Sequence, residues 1–279
     1  MDLDELLGQY AAGVRDFREA NLTGIDLSEK NLKNVNLRGA NLSKADLRGA
    51  NLSYANLREV ILIGADLSQA ILVETNLIGA DLSQAVLYEA DLTEAGLRGS
   101  KLLEANLSQA ILVEANLAEA SLNRANLSEA NLNEASLNRA KLIGADLTRA
   151  VLDSANLTNA ILSEAILEGA SLVNATMHGI SLEEADLREA DLSRAKLIGG
   201  NLINANLTRA NIRSANLSWS SMRGANLRKA NLYRAKFSWA NLSETDLTEA
   251  VLINANLNQT NLHNANLTGA LMPNGVTHE

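Results

Sequence analysis

Apolar residues recur at every fifth position along almost the whole chain. Leucine fills 46 of the 50 positions at this spacing from Leu22 to Leu267, and the other four hold Met177, Ile212, Met222 and Phe237. Alanine stands two residues before most of these leucines, with aspartate or asparagine between them. Phe17 and Met272 extend the series by one unit at each end without an insertion. The pattern predicts about 52 tandem five-residue units.

A five-residue period fits neither regular element. Each residue of an α-helix advances by about 100°, so leucines five apart would spiral over the whole surface. In a straight strand, side chains alternate between the two faces, so successive leucines would point to opposite sides. The conflict disappears if the chain bends once per unit, because alanine and leucine then both point inward. The period therefore predicts a bent coil that pairs with the next coil at strand spacing, about 4.8 Å.

The tandem motif Ala-Asp/Asn-Leu-X-X, continuous from 17 to 272, resembles the repeat of the pentapeptide repeat family. The resemblance implies an all-β fold, a right-handed quadrilateral β-helix with about 20 residues in each four-unit coil. Residues 20 apart in sequence would then stack on successive coils. The opening YAAGVRDF and the closing MPNG also resemble the ends of cyanobacterial members.

The two ends break the five-residue rhythm. Residues 1–16 are expected to form a short N-terminal capping helix, because apolar residues follow helical spacing at Leu3, Leu6, Leu7, Tyr10 and Val14. Asp2 followed by Glu5 resembles a capping box. Such a helix would cover the open first coil, and a docking helix for a partner is the alternative. Residues 17–272 form the predicted β-helix. Residues 273–279 start with a turn signal, Pro273-Asn274-Gly275, and are expected to fold over the last coil.

Composition excludes several classes of function. The chain has no cysteine, which excludes disulfides, thiolate catalysis and cysteine-ligated metals. His178, His263 and His278 have no metal-ligand spacing, and no nucleophile or phosphate-loop motif is present. No apolar run approaches the length of a membrane span, and the acidic start does not resemble a signal peptide. We expect a cytoplasmic protein that is not an enzyme, with no catalytic residues, no metal and no cofactor.

Charge changes sign in one part of the chain. Between Leu192 and Ser243 there are nine lysines and arginines and no acidic residue, although the whole chain has a net charge of −9. Trp219 and Trp239 lie 20 residues apart in this window, so they are expected to stack on adjacent coils near Tyr233. The candidate partner-binding residues are Arg209, Arg213, Trp219, Arg223, Arg228, Lys229, Tyr233, Arg234, Lys236 and Trp239. A solvated surface, an acidic protein partner and a polyanion are the alternatives, and the acidic total charge disfavours nucleic acid.

A second candidate surface is apolar. Ile71, Val73, Ile111 and Val113 occupy positions that are expected to point outward. They either favour the extended conformation or form a broken stripe for a partner. On the same side, Glu74, Glu94, Glu114 and Glu134 form one column, which is interpreted as a solvated face.

The sequence favours a non-catalytic protein–protein interaction scaffold with an unidentified protein partner and no membrane attachment. Some family members mimic DNA and modulate a type II topoisomerase, and the resemblance makes this the first alternative. Weak binding of a polyanion or nucleic acid through residues 194–236 is the second. The sequence leaves the oligomeric state open.

Overall fold

The computed structural model describes all 279 residues. They form two compact units, Met1–Lys141 and Leu142–Glu279. The boundary falls inside one five-residue unit, 140–144, so the repeat continues through it in phase. The only helix is α1, Leu3–Ala11, and the repeats form single-residue bridges rather than long strands.

In the first unit, parallel bridges join residues that are 20 apart in sequence. They run from Asp16 paired with Asn36 to Ser121 paired with Lys141, with one bridge for every five-residue unit. Four units therefore complete one coil, which is the coil length that the family resemblance implied.

The backbone of each coil is held by a regular set of hydrogen bonds. In the unit 40–44, the N–H groups of Asn41, Leu42 and Lys44 donate to carbonyls of neighbouring coils at 2.7–3.0 Å. The N–H of Ala45 closes the turn by donating to the carbonyl of Leu42 at 3.0 Å. The remaining N–H, that of Ser43, donates to Oδ1 of Asn41 at 3.0 Å. The aspartate or asparagine of the motif therefore supplies the one acceptor that the backbone does not.

The last residue of nearly every unit has a left-handed backbone. Where this residue is not glycine, φ lies between 52° and 64°. This conformation costs an L-residue about 1–2 kcal/mol. It is retained because the turn directs the N–H of that residue to a carbonyl of the next coil, as Lys44 does to Ile63 at 3.0 Å. The corner thus accepts glutamate, glutamine, arginine and asparagine as well as the glycine favoured by its geometry.

Helix α1 begins with the predicted cap. Oδ1 of Asp2 accepts the N–H of Glu5 at 2.9 Å, which is one half of a capping box. The carboxylate of Glu5 accepts from Gln9 at 3.3 Å instead of completing the box. The helix ends at Ala11, earlier than the predicted residue 16, and Val14 lies outside it with 40% of its surface exposed.

Helix α1 packs on the start of the repeats. Leu6 is completely buried, which a nine-residue helix cannot achieve without a partner surface. The hydroxyl of Tyr10 donates to the carbonyl of Lys33 at 3.0 Å. Leu22 and Leu27 in the first coil are at most 1% exposed, so this end of the core is covered.

The second unit repeats the same coil, with bridges from Asp146 paired with Ile166 to Val251 paired with Leu271. Its inward alanine and leucine positions are buried as far as Leu252. The leucines after this point are only half-buried, so the last coil is partly open.

The C-terminal tail pairs with the edge of the last coil. Leu271 and Thr277 form an antiparallel bridge, and the N–H of Met272 donates to the carbonyl of Val276 at 2.9 Å. The N–H of His278 donates to Ala270 at 2.8 Å. The tail satisfies backbone groups at this edge but leaves the side chain of Met272 half-buried. No helix is long and apolar enough to cross a membrane.

Candidate interaction surface

The basic residues of the second unit are divided among the four sides of its coils. Because residues 20 apart stack, the side of each residue follows from its position in the coil. One side carries Arg209, Arg228 and Lys229, and the next side along the chain carries Arg213, Tyr233 and Arg234. The third side carries Trp219, Lys236 and Trp239, and the fourth carries Arg223. The acid-free window of the sequence is therefore not one continuous surface.

Carboxylates from neighbouring coils neutralise the cations of the first of these sides. The ion pairs are Arg209 with Glu189 at 3.2 Å, Arg228 with Asp246 at 3.1 Å and Lys229 with Glu249 at 3.4 Å. Burial raises the pKa of Asp246, but hydrogen bonds from Thr248 and Arg228 outweigh it and hold the pKa below its ordinary value. The three cations are therefore paired surface groups, although no acid lies near them in sequence.

The next side carries cations that have no carboxylate partner. Arg194, Arg213 and Arg234 form no ion pair, and we call these three residues and Tyr233 the arginine surface. The guanidinium carbons of Arg213 and Arg234 lie 5.2 Å and 5.1 Å from the centroid of the Tyr233 ring. Both distances are within the range of a cation–π interaction, which holds the two cations beside the aromatic ring without neutralising them.

A shallow depression of about 280 Å³ lies between two of these arginines. Its lining comprises Ser193, Arg194, Asn211, Arg213 and Ser214. The amide nitrogen of Asn211 donates to Ser193 at 2.8 Å, but its Oδ1 is buried without a hydrogen-bond partner. The depression is polar and positively charged, and it is too small and open to enclose a substrate.

The two tryptophans form a stacked pair on the adjoining side. Their ring centroids are 5.2 Å apart and their planes differ by 4°. Trp219 is 63% exposed and Trp239 is 55% exposed. The structure therefore shows the stacking that the 20-residue spacing predicts. It also shows that the pair contributes a large aromatic surface to solvent and not to the core.

The apolar residues of the first unit occupy outward positions but do not form a continuous stripe. Ile71 and Ile111 are exposed at 39% and 41%, and Val73 and Val113 are half-buried. Asp91 lies on the coil between the two isoleucines and forms a β-bridge with each of them, so a carboxylate interrupts the stripe.

The sequence analysis did not identify what the position of these isoleucines contributes to the backbone hydrogen bonds. It is the Asp/Asn position of the motif, whose side chain elsewhere accepts the N–H two residues later. Isoleucine cannot accept, so the N–H groups of Val73 and Val113 lose that partner. The motif itself indicated this role, because Asp or Asn stands before leucine in most units.

No group of three His, Cys, Asp or Glu side chains is placed to hold a metal ion. His178 has a buried Nε2 without a hydrogen-bond partner, and it is the only histidine with such an atom. A single histidine with no acid or nucleophile paired to it does not form a catalytic site.

Comparison with known proteins agrees with the repeat pattern. The family model for pentapeptide repeats matches eight times, at residues 16–53, 50–88, 70–109, 90–128, 110–149, 150–189, 190–228 and 230–269. No catalytic family is indicated. No curated protein matches the chain at a significant level.

Several solved structures are similar to this chain. HetL, a pentapeptide repeat protein involved in heterocyst differentiation regulation in the cyanobacterium Nostoc, is 37% identical over 100% of both chains, with a TM-score of 0.28. Rfr23 from the cyanobacterium Cyanothece is 33% identical over 40% of this chain and 58% of its own, with a TM-score of 0.24. QnrB1, a plasmid-mediated fluoroquinolone resistance protein, is 18% identical over 75% of this chain and 94% of its own, with a TM-score of 0.45. The family model covers nearly the whole repeat region, and the chain belongs to the pentapeptide repeat family.

Proposed function

We propose that this protein is a non-catalytic scaffold that binds an acidic protein partner through the second unit. The contact comprises the arginine surface and the adjoining tryptophan pair, Trp219 and Trp239. The observation that carries the proposal is that three arginines lack carboxylate partners, two of them flank a tyrosine, and this surface adjoins two exposed stacked indoles. Arginine, tyrosine and tryptophan are the residue types that dominate binding energy at protein interfaces.

The fold does not require these side chains. The last residue of a unit is elsewhere glutamate, glutamine, asparagine or glycine with the same backbone conformation, so Trp219 and Trp239 serve no visible purpose in the turn. Neighbouring arginines without counter-ions repel one another and weaken the folded state slightly. Both features are explained if a partner supplies carboxylates and covers the indoles.

The charges favour a protein over a nucleic acid. The chain has a net charge of −9, so a nucleic acid that extends beyond the arginine surface meets repulsion at low ionic strength, whereas a protein can place its carboxylates at the arginine surface alone. The cations of the adjoining side are already paired, which limits the free positive charge to a small area. A right-handed quadrilateral β-helix and a cytoplasmic location belong to the same proposal, and both rest on the sequence and on family resemblance.

The test is a binding experiment with charge reversal. Arg213→Glu with Arg234→Glu reverses two of the three free cations, the two beside Tyr233. Arg139→Glu with Arg149→Glu makes the same change in net charge at two exposed arginines that form no ion pair. A partner captured by wild type should be retained by the control variant and lost by the arginine-surface variant. With the purified partner, we expect the affinity of the arginine-surface variant to fall at least about tenfold.

Other outcomes contradict the proposal. Equal loss in both variants would show a general charge effect and not a site. Salt-dependent binding of an oligonucleotide that disappears in the arginine-surface variant would replace the protein partner with a polyanion. Inhibition of DNA supercoiling by gyrase in both variants would favour the DNA-mimic alternative.

A further inference from the structure

The first unit presents an acidic surface that has the same form as the arginine surface. Glu74, Glu94, Glu114 and Glu134 occupy the same position in four successive coils, and we call them the glutamate column. None of the four forms an ion pair, and all are exposed. Their spacing follows that of the coils, about 4.8 Å. Such a ladder of like charges is unfavourable to the isolated unit.

Apolar groups flank the glutamate column at a cost to the fold. Ile71 and Ile111 stand three residues before two of its members and are exposed. As described above, isoleucine at this position removes the acceptor for the N–H of Val73 and Val113. Loss of a hydrogen bond and exposure of apolar surface both oppose folding at each of these sites. The first unit thus maintains an acidic and apolar surface that its own packing does not explain.

The arginine surface repeats this design with the opposite charge. The N–H of Arg194 donates to the carbonyl of Arg213, so the two lie on neighbouring coils, and Arg234 follows one coil later. The three free cations therefore advance by one coil each, with Arg213 one position before the corner that Arg194 and Arg234 occupy on their own coils. Val251 and Ile253, both half-buried, stand beside them on the next coil.

We propose that the acidic partner of the arginine surface is the glutamate column of a second copy of this chain. This proposal rests on the proposed function and identifies its partner. The first unit of one copy contacts the second unit of another, with carboxylates opposite guanidinium groups at a common spacing and isoleucine and valine covering the flanks. Each copy carries both halves of the contact. Like-charge surfaces of two copies repel, so the pairing is specific to opposite halves.

The contact depends on salt because its charges lie on an exposed surface. The Debye length is about 8 Å at physiological ionic strength and about 3 Å at 1 M salt. Self-association should therefore weaken as salt rises, whereas a contact made by apolar surface alone would be unchanged or stronger. This difference separates the proposed contact from association through the partly open last coil.

The experiment is sedimentation equilibrium of the full chain with two complementary variants. Glu74→Arg, Glu94→Arg, Glu114→Arg and Glu134→Arg together reverse the glutamate column, and Arg194→Glu with Arg213→Glu and Arg234→Glu reverses the arginine surface. We expect wild type to self-associate in low salt. In each variant, the glutamate column and the arginine surface carry charges of the same sign, because only one of the two surfaces is reversed. Each variant alone should therefore self-associate at least about tenfold more weakly than wild type. Mixing the two variants in equal amounts should restore association, because the reversed surfaces are complementary to one another.

A control variant and circular dichroism spectra separate loss of the proposed contact from loss of folding. Arg139→Glu with Arg149→Glu should self-associate like wild type, and equal circular dichroism spectra would show that all variants are folded. A wild type that stays monomeric at low salt overturns the inference, and so does a mixture that remains monomeric. If wild type is monomeric but its arginine surface still captures another acidic protein, the proposed function stands and only the second copy is excluded. If association persists in both variants, another surface carries it and the inference is wrong.

Discussion

One prediction tests how tightly the inward positions of the second unit are packed. Ile180 replaces the usual inward alanine, and Gly200 occupies the equivalent position one coil later. A Cβ added to Gly200 would lie 3.4 Å from Cγ2 of Ile180, 3.3 Å from Cδ1 of Leu202 and 3.2 Å from the carbonyl oxygen of Leu197. The distances to Leu202 and Leu197 are tighter than ordinary van der Waals contact and the distance to Ile180 is at its short limit, so glycine leaves the space beside Ile180 that a Cβ would crowd.

The expected magnitude follows from two opposing effects. Gly200 does not have a left-handed φ, so alanine fits its backbone and should gain about 0.4–1 kcal/mol by restricting the unfolded chain. Overpacking costs about 1–3 kcal/mol, so Gly200→Ala should destabilise the protein by about 1 kcal/mol. Ile180→Ala removes a buried side chain and should cost about 2–5 kcal/mol. In that background, Gly200→Ala should become stabilising.

The assay is a double-mutant cycle measured by urea unfolding and followed by circular dichroism. We expect a coupling free energy of about 1–3 kcal/mol between positions 180 and 200. Ala230→Gly, an inward change on a different coil, is the matched control and should show no coupling to Ile180→Ala. If Gly200→Ala changes the free energy of unfolding equally in both backgrounds, to within about 0.5 kcal/mol, Ile180 does not fill this space and the packing argument fails.

Three further predictions concern the motif, the pH dependence and the aromatic pair. Oδ1 of Asn106 accepts the N–H and the hydroxyl of Ser108 at 3.1 Å and 2.7 Å. Asn106→Ala removes this acceptor and should lower the free energy of unfolding, measured by urea titration, by about 1–3 kcal/mol. Asn106→Asp keeps the acceptor and should leave the free energy of unfolding nearly unchanged. Burial raises the pKa of Asp186, but hydrogen bonds from the side chain and backbone of Arg188 outweigh it and lower the pKa below its ordinary value of 3.8. The ionised carboxylate stabilises the folded protein above the unfolded-state pKa of 3.8, and this stabilisation is lost as pH falls through the lower pKa of the folded state. Asp186→Asn should therefore lose less stability than wild type between pH about 5 and about 2. Trp239→Ala should abolish the exciton couplet of the stacked indoles in circular dichroism with little change in the unfolding midpoint, because the ring is 55% exposed.

These predictions can each be contradicted directly. Equal destabilisation by Asn106→Ala and Asn106→Asp would mean that the side-chain acceptor is unimportant. An acid unfolding curve identical to wild type for Asp186→Asn would assign the pH dependence to other carboxylates. A large loss of stability in Trp239→Ala would show that the pair belongs to the core.

Much of the candidate surface followed from the sequence, but its division did not. The 20-residue spacing of Trp219 and Trp239 predicted their stacking, because a regular coil places them at the same corner. No acid lies near Arg209 in the sequence, but the structure pairs this arginine with a carboxylate. Its partner, Glu189, lies 20 residues away in sequence but 3.2 Å away in space. A window along the chain does not include neighbours from the next coil.

The sequence by itself determined the five-residue period, the inward alanines and leucines, the helix at the start and the turn at the end. These features depend on local spacing, which one chain specifies directly. The tertiary structure alone decided which N–H needs the Asp/Asn side chain, which arginines are neutralised and where the corner residues adopt a positive φ. Each of these depends on the residue one coil away, and that contact exists only after the coils stack. Arg209 and Arg213 are alike in sequence, but one faces a carboxylate and the other a tyrosine ring.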